Sequence, residues 1–460
     1  MLFSAMFVLA SCLNANDDYT YTDDSAITSF SISSGNQYIH VKSSTGGDSL
    51  VTNDLTLSSY KFYIDQVNCE IYNPDSLPCG VDATKLLCSV SSLNSSVVVI
   101  KSMTSDTLSY VSTTDSIDFS SDRELQVYSN SGQAVRKYTV KVNVHKEFPD
   151  SFAWHSKPDC AALESLTAVR VVAAGSNMLL FGTDGTSTSV FRFGGSGWTA
   201  CTPDFNHQLA ADAWRGVAVK DGKAYISDGG DILSTSDGDH WTAIASATGV
   251  TRLVAASSFR LYGYAADGRL MASADNGRTW TAAATDEPAS LLPTAETAYV
   301  SLPVSTNRLT ERVLLFGTRD SATAPSDTTL TVWGKIDEGA DGSENQPWVY
   351  YNVAPENTHK APLLKNISSI CYDGAVFVFG SKGAAAPMLY KTRDNGITWN
   401  ADTTLTVPDN FGAANEQRAA YSLAVDADNV LWLVDAASGK TWCGRINRLG
   451  WKKEQTDFTE

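Results

Sequence analysis

The sequence predicts an all-β chain in two parts, a sandwich of short strands and then a ring of sheets. Three observations carry that prediction. Residues 25–146 alternate apolar and polar positions in short runs cut by Ser, Asn, Gly and Asp turns. Tryptophans then recur at Trp198, Trp241, Trp280, Trp348, Trp399 and Trp451, at intervals of 43, 39, 68, 51 and 52 residues, close to the length of a four-stranded unit. Hardly any segment is long enough for a substantial helix.

The 460 residues allow more than one domain. With 34 Lys and Arg against 51 Asp and Glu, the net charge of −17 repels nucleic acid and excludes it as a partner class.

Taken in chain order, the first segment, MLFSAMFVLASC, is apolar but too short to span a bilayer. Its last four residues, Leu9-Ala10-Ser11-Cys12, resemble a bacterial lipobox. The resemblance implies a signal peptide over 1–11 and a lipid anchor on Cys12. The polar, acidic stretch over 12–24 then reads as a tether, similar to the surface-export tethers of Bacteroidetes lipoproteins, so the expected location is the outer membrane, facing the exterior.

From 25 to 146, Phe30 and Ile32, then Tyr60, Phe62 and Ile64, then Tyr138, Val140, Val142 and Val144 alternate with polar residues. Such alternation makes one buried and one wet sheet face. The length and rhythm fit an immunoglobulin-like sandwich, although no Cys…Trp…Cys pattern accompanies it. Residues 147–158, with Pro149 and Pro158, read as a linker, and 159–460 as the ring.

Each unit of the ring has the same grammar. An apolar strand (VRVVAAG, WRGVAVK, TRLVAAS, TAYVSLP, SSICYDG, YSLAVDA) meets a tight turn, as at Asp221-Gly222, Asp373-Gly374 and Asp428-Asn429. A second strand follows at once, which is a hairpin signature. Two further strands complete the unit, the last bearing Trp. A single unit cannot bury both faces, and stacking units around an axis completes the core. A six-bladed β-propeller is the expectation. Trp154 either closes the ring from its N-terminal side or belongs to a seventh blade.

Ser273-Ala274-Asp275-Asn276-Gly277-Arg278-Thr279-Trp280 fits the pattern S-x-D-x-G-x-T-W throughout, and the segment from Thr392 through Asp394 and Gly396 to Trp399 fits with Thr for Ser. The segment Ser234 to Trp241 is looser, with Ser236 at the Asp position and His240 at the Thr position. The pattern resembles the Asp-box of sialidase-like propellers, which occupies a corner between the third and fourth strands of a blade. That resemblance makes these residues structural. Asp accepts hydrogen bonds from the turn, Gly takes a left-handed backbone and Trp packs on the adjoining strand.

The candidate ligand site lies elsewhere. Arg170, Arg215 and Arg252 share a register at the start of the innermost strands of units one to three, and Arg418 and Tyr421 lie near the same position in unit six. Guanidinium groups gathered at the axis suit carboxylates or sulfates. The structural alternative is that each Arg ties down carbonyls of the next blade.

The sialidase resemblance also implies an Arg-Ile-Pro, a Tyr and Glu nucleophilic pair and an Asp acid/base. The chain has no Arg-Ile-Pro, its nearest segment being FRFGG at Arg192, and the Tyr and Glu pair has no evident position.

The six histidines show no metal-ligand spacing, so no metal or cofactor is expected. With Cys12 assigned to lipid, seven cysteines remain and cannot all pair. A Cys160 to Cys201 bridge is conceivable, and burial as small apolar side chains is the default.

The run IDQVNCEIYNPDSLPCGVDATKLL, Ile64 to Leu87, adds a resemblance to Bacteroidetes surface lipoproteins that join an immunoglobulin-like N-terminal domain to an Asp-box propeller. The resulting expectation is a non-catalytic surface protein that binds a glycan or a protein. The alternative is a sialidase-like glycoside hydrolase acting on an acidic glycan.

Overall fold

In a computed structural model of the protein, the structure describes residues 21–42, 47–339, 346–352, 356–383, 386–411 and 420–451. The chain divides into two compact units, residues 1–149 with 451–460, and residues 150–450. Cys12 and Arg418 lie outside the described residues. No described helix is long and apolar enough to cross a membrane.

The first unit has two sheets around one core. In one sheet Ile27–Lys42 lies between Asp48–Thr56 and Val81–Ser92. The other has six strands, in the order Tyr63–Asp65, Glu70–Tyr72, Val135–Lys141, Arg123–Tyr128, Val97–Lys101, Leu108–Tyr110. All pairings are antiparallel except Glu70–Tyr72 with Val135–Lys141, which run parallel. The alternating residues do fill the core: Phe30, Ile32, Tyr138 and Val140 are buried, and Tyr60, Phe62, Ile64, Val142 and Val144 pack against them. The end of the expected tether is tied to this unit. Thr22 N–H donates to Asn130 Oδ1 at 2.8 Å and Ser131 Oγ to Asp23 at 2.6 Å.

The second unit is a β-propeller with six four-stranded antiparallel sheets among the described residues. Their inner strands, in chain order, are Ala168–Ala174, Ala218–Lys220, Val250–Ala256, Glu296–Val304, Lys365–Tyr372 and Tyr421–Val425. Each inner strand meets the next, and the sixth meets the first. Adjacent inner strands belong to different sheets, so their facing donors find side chains instead of a ladder. Val171 N–H donates to Ser422 Oγ (2.9 Å) and Leu423 N–H to Ser368 Oγ (3.2 Å), while Val219 N–H of the second sheet reaches the Tyr299 hydroxyl of the fourth (2.8 Å). The tight turns carry the left-handed backbone expected of them, with φ of 50° and 69° at Asp221 and Gly222 and 49° and 66° at Asp373 and Gly374.

The repeated tryptophans join sheets. Trp241, Trp348 and Trp399 meet Phe181, Tyr262 and Phe316 of the preceding sheet edge-on, with centroids 6.4, 5.0 and 5.7 Å apart. Trp198 Nε1 reaches back to Thr441 Oγ1 of the sixth sheet at 2.8 Å.

Three expectations need correction here. Trp451 does not end a sixth unit. The outer strand of the sixth sheet is Trp154–Ser156, which pairs with Lys440–Gly444. The ring is therefore closed by its N-terminal end, and residues 154–156 are not linker. Cys160 and Cys201 are not bridged. Their thiols lie 3.6 Å from Trp198 O and 3.7 Å from Asp237 O, so each is held by a different carbonyl.

Candidate functional site

At one end of the axis the start of the inner strands brings together Arg170, Arg215, Arg252, Glu296, Asn366 and Tyr421, beside Trp214. Arg170 and Arg252 sit on inner strands. Arg215 lies on a short 3-10 turn, Ala213–Gly216, ahead of its strand. The three guanidinium groups are differently engaged. Arg252 Nη2 donates to Thr294 O at 2.8 Å, just ahead of the next sheet's inner strand, and lies 5.6 Å over the Tyr264 ring. Arg170 Nη2 crosses to Thr297 O in the fourth sheet at 2.9 Å. Arg215 is exposed, its guanidinium lies 5.5 Å over the Trp214 ring, and that group makes no hydrogen bond or ion pair among the described residues. The structural role weighed for these arginines, tying down carbonyls of the next blade, therefore fits Arg252; Arg170 is also held by a carbonyl, but one across the axis.

Packing like charges together leaves an electrostatic signature. Burial, and then the neighbouring guanidinium groups, draw Arg170 and Arg252 below the ordinary arginine range, while Glu296 works in the opposite direction. Burial pushes the Tyr421 phenol up to about 12, reinforced by Glu296, against hydrogen bonds from Ser381 and Asn366. Tyr421 hydrogen-bonds Ser381 Oγ at 2.6 Å and donates to Lys365 O at 3.2 Å. It is held neutral at physiological pH.

The mouth encloses only about 20 Å³, room for about one water. Below it the axis opens into a cavity of about 260 Å³ lined by Val171, Val219, Tyr299, Ser369, Cys371 and Ser422. Arg170 lines both spaces and stands between them. Among the described lining residues Glu296 is the one carboxylate of the mouth, whereas glycoside hydrolysis by paired carboxylates needs two. No three His, Cys, Asp or Glu side chains gather as metal ligands would among the described residues.

Glu296 and Asn366 escape a reading that counts back from the hairpin turns. The fourth sheet's first two strands, Glu296–Val304 and Asn307–Thr318, are longer than the others, so Glu296 reaches the mouth from further along. Asn366, with φ of 54°, lies where pairing shifts register between Lys365 and Ser368. A bulge of this kind re-aims a side chain.

The acidic corner motif lies apart from the mouth. In the third sheet Asp275 Oδ1 accepts from Ser273 Oγ (2.7 Å) and Thr279 N–H (2.9 Å), and Oδ2 from Thr279 Oγ1 (2.6 Å). Trp280 Nε1 donates to Gly277 O at 2.9 Å. Thr392, Asp394, Thr398, Gly396 and Trp399 repeat the pattern in the fifth sheet. Gly277 has φ of 94°, and a Cβ there would lie 2.8 Å from Ile232 Cγ2 of the second sheet. Glycine thus serves both the turn and the close approach of the neighbouring sheet. The looser third copy is read one residue out by its alignment. Asp237, not Ser236, takes the acidic role, accepting from His240 N–H at 2.8 Å and pairing with His240 Nδ1 at 2.7 Å, while Thr235 replaces Ser and Trp241 Nε1 still reaches Gly238 O at 2.8 Å. One residue is missing between Asp and Gly, and the histidine side chain makes the bond that Thr makes elsewhere.

Residues 148–454 match the family described as DUF6242 beta propeller domain, and residues 30–142 match the DUF6242 N-terminal domain. No curated protein matches the chain. Among solved structures, YCF48 from Cyanidioschyzon merolae is 13% identical, covering 64% of this chain and 98% of its own, with a TM-score of 0.33. The fucose-specific lectin from Aleuria aurantia is 13% identical over 67% and 95%, with a TM-score of 0.32. A Trypanosoma rangeli sialidase mutant is 11% identical over 60% and 50%, with a TM-score of 0.30. At these values the likenesses carry nothing about ligand or activity.

Proposed function

The chain belongs to the DUF6242 family, and from that premise we propose that its propeller is a non-catalytic binding module for an acidic glycan or an acidic group on a protein partner. The ligand's carboxylate or sulfate meets Arg215 at the axial mouth. The observation that carries this reading is the exposed, unengaged Arg215 guanidinium beside Arg170 and Arg252, which are already held by carbonyls, in a chain of net charge −17. A cationic spot on an acidic surface selects anions locally, and a guanidinium fork suits a planar acid. The narrowness of the mouth favours a terminal acidic group over an enclosed sugar ring. In the same reading the N-terminal unit is an immunoglobulin-like spacer, the six sheets are six blades with Asp-box corners, and a lipid on Cys12 fastens the protein to the outer membrane, facing outward.

The test is a glycan array probed with the protein and its Arg215→Ala variant, with released sugar measured in parallel. Retention of acidic glycans by the parent, lost in the variant with an unchanged melting temperature, is the expected result. An unchanged binding profile rejects it.

The second reading, a sialidase-like hydrolase, is favoured by one observation: Glu296 and Tyr421 share the mouth with the arginines. It requires release of sugar by the parent protein and abolition of that release in Glu296→Gln.

A further inference from the structure

Behind the mouth, Arg170 is a mostly buried cation that makes no ion pair among the described residues. It leaves the inner strand of the first sheet, crosses the axis and donates to Thr297 O through Nη2. Its Nε and Nη1 make no hydrogen bond among the described residues. Glu296 acts on it at longer range and lines the mouth, not the space behind it. A guanidinium taken out of water without an opposite charge is costly, so an anion brought to it is strongly favoured.

The space behind it is the axial cavity of about 260 Å³, in which Arg170 is the one charged side chain among the described lining residues. Tyr299 stands at the same end and feels the guanidinium electrostatically. Its hydroxyl accepts from Val219 N–H at 2.8 Å, and its own proton has no acceptor among the described residues. Two kinds of free donor therefore meet at one end of the cavity.

Further along, the wall becomes apolar. Val172, Ala173, Val219 and Val425 are partly exposed and line it. The serines between them are engaged: Ser369 Oγ donates to Tyr299 O at 2.7 Å and Ser301 Oγ to Glu311 at 2.5 Å, while Ser368 and Ser422 accept from neighbouring strands. Cys371 lies five residues beyond Asn366 on the same inner strand and is exposed, roughly 15 Å further from the mouth at the rise of a strand.

We propose that the axial cavity is a second ligand site, which takes a short-chain monocarboxylate such as hexanoate. The carboxylate meets the free donors of Arg170 and the Tyr299 hydroxyl, and the chain runs along the valines toward Cys371. A guanidinium with free donors suits the head, and a wall without further charge suits the methylenes. The volume falls below the ~300 Å³ at which sites for drug-sized ligands begin, which keeps the chain short. The site makes no use of Arg215 and is independent of the ligand at the mouth.

Calorimetric titration of the Arg215→Ala protein with acetate, butyrate and hexanoate tests it, with 1-hexanol as the uncharged comparison. The Arg215→Ala background silences the mouth. Affinity is expected to rise about fourfold for each added methylene, as burial of one methylene gives. Hexanol should bind at least roughly tenfold more weakly than hexanoate, as for the loss of a charge-assisted hydrogen bond. Affinity that does not change with chain length removes the cavity wall from the proposal, and hexanol binding as tightly as hexanoate removes Arg170; either overturns it. Adding Val219→Phe fills the cavity from its wall and should abolish hexanoate binding. Should that variant fail to fold, Cys371 decides, because a chain reaching it slows its alkylation by a maleimide, read residue by residue by mass spectrometry. Absence of hexanoate binding, unchanged affinity in the folded Val219→Phe protein, or a Cys371 alkylation rate that hexanoate leaves unchanged overturns the proposal.

Discussion

Asp275 ionises against its own burial. Burial raises its pKa, but the hydrogen bonds from the Thr279 side chain and backbone and from Ser273 outweigh it and hold the carboxyl down to about 2. Asp237 behaves alike through His240 and Asp239, also at about 2, and Asp394 is drawn in the same direction. A carboxyl whose folded pKa lies below its unfolded value of roughly 4 stabilises the fold above pH 4 and withdraws that stability as pH falls through about 2. The melting temperature is therefore expected to hold from neutral pH to about 4 and to fall between about 4 and 2. Asp275→Asn should cost about 1–3 kcal/mol at neutral pH, since the amide keeps one acceptor oxygen but puts a donor where Oδ2 accepts from Thr279 Oγ1 and removes the charge that strengthens the turn bonds, and should flatten part of the acid-side loss. Thermal melts across that pH range check both. A variant as stable as the parent at pH 7 would show that the corner does not depend on the carboxylate. At this scale the sequence was legible where spacing was regular, at Asp275 and Asp394, and misleading at Asp237, where a one-residue deletion is absorbed by a histidine that pattern matching does not credit.

At the scale of elements, the alternation of apolar strand, tight turn and second strand is fully expressed, because each hairpin is decided by local chemistry. The outer strands are a different matter. They are as short as Thr281–Ala282, Val349–Tyr350 and Asn400–Ala401, too brief for periodicity to reveal. The last of them is supplied from 290 residues away in sequence, by Trp154 pairing with Gly444 as Trp154–Ser156 lies against Lys440–Gly444, with Lys157 N–H reaching Thr441 O at 2.8 Å. The two-residue period of a strand places His155 N–H in the same orientation as that of Lys157. His155→Pro should then remove a ladder bond at the closure and cost about 1–3 kcal/mol. Urea unfolding measures it. An unchanged midpoint would mean that this strand contributes nothing to holding the ring shut.

For the whole molecule, charge and shape act at different ranges. The net charge of −17 is felt by a long anionic glycan before it reaches the axis, whereas a short acid at Arg215 meets mainly the local cations. Raising salt from about 10 to 150 mM shortens the screening length from roughly 30 to 8 Å. The association rate of a long acidic glycan should therefore rise with salt, while equilibrium binding of a short acidic fragment weakens. Surface plasmon resonance at several ionic strengths separates the two. Rates and affinities that fall together would place the ligand away from an acidic surround.

The sequence by itself determined the all-β character, the repeat, its hairpins and the register that brings Arg170, Arg215 and Arg252 toward one end. These follow from local periodicity and turn stereochemistry, which need no distant partner. Tertiary structure alone decided how each arginine is engaged, that Glu296 and Asn366 join them, and that Trp154 closes the ring. Those outcomes depend on strand lengths, a shift of register and contacts between sheets, and no spacing within a single repeat encodes them.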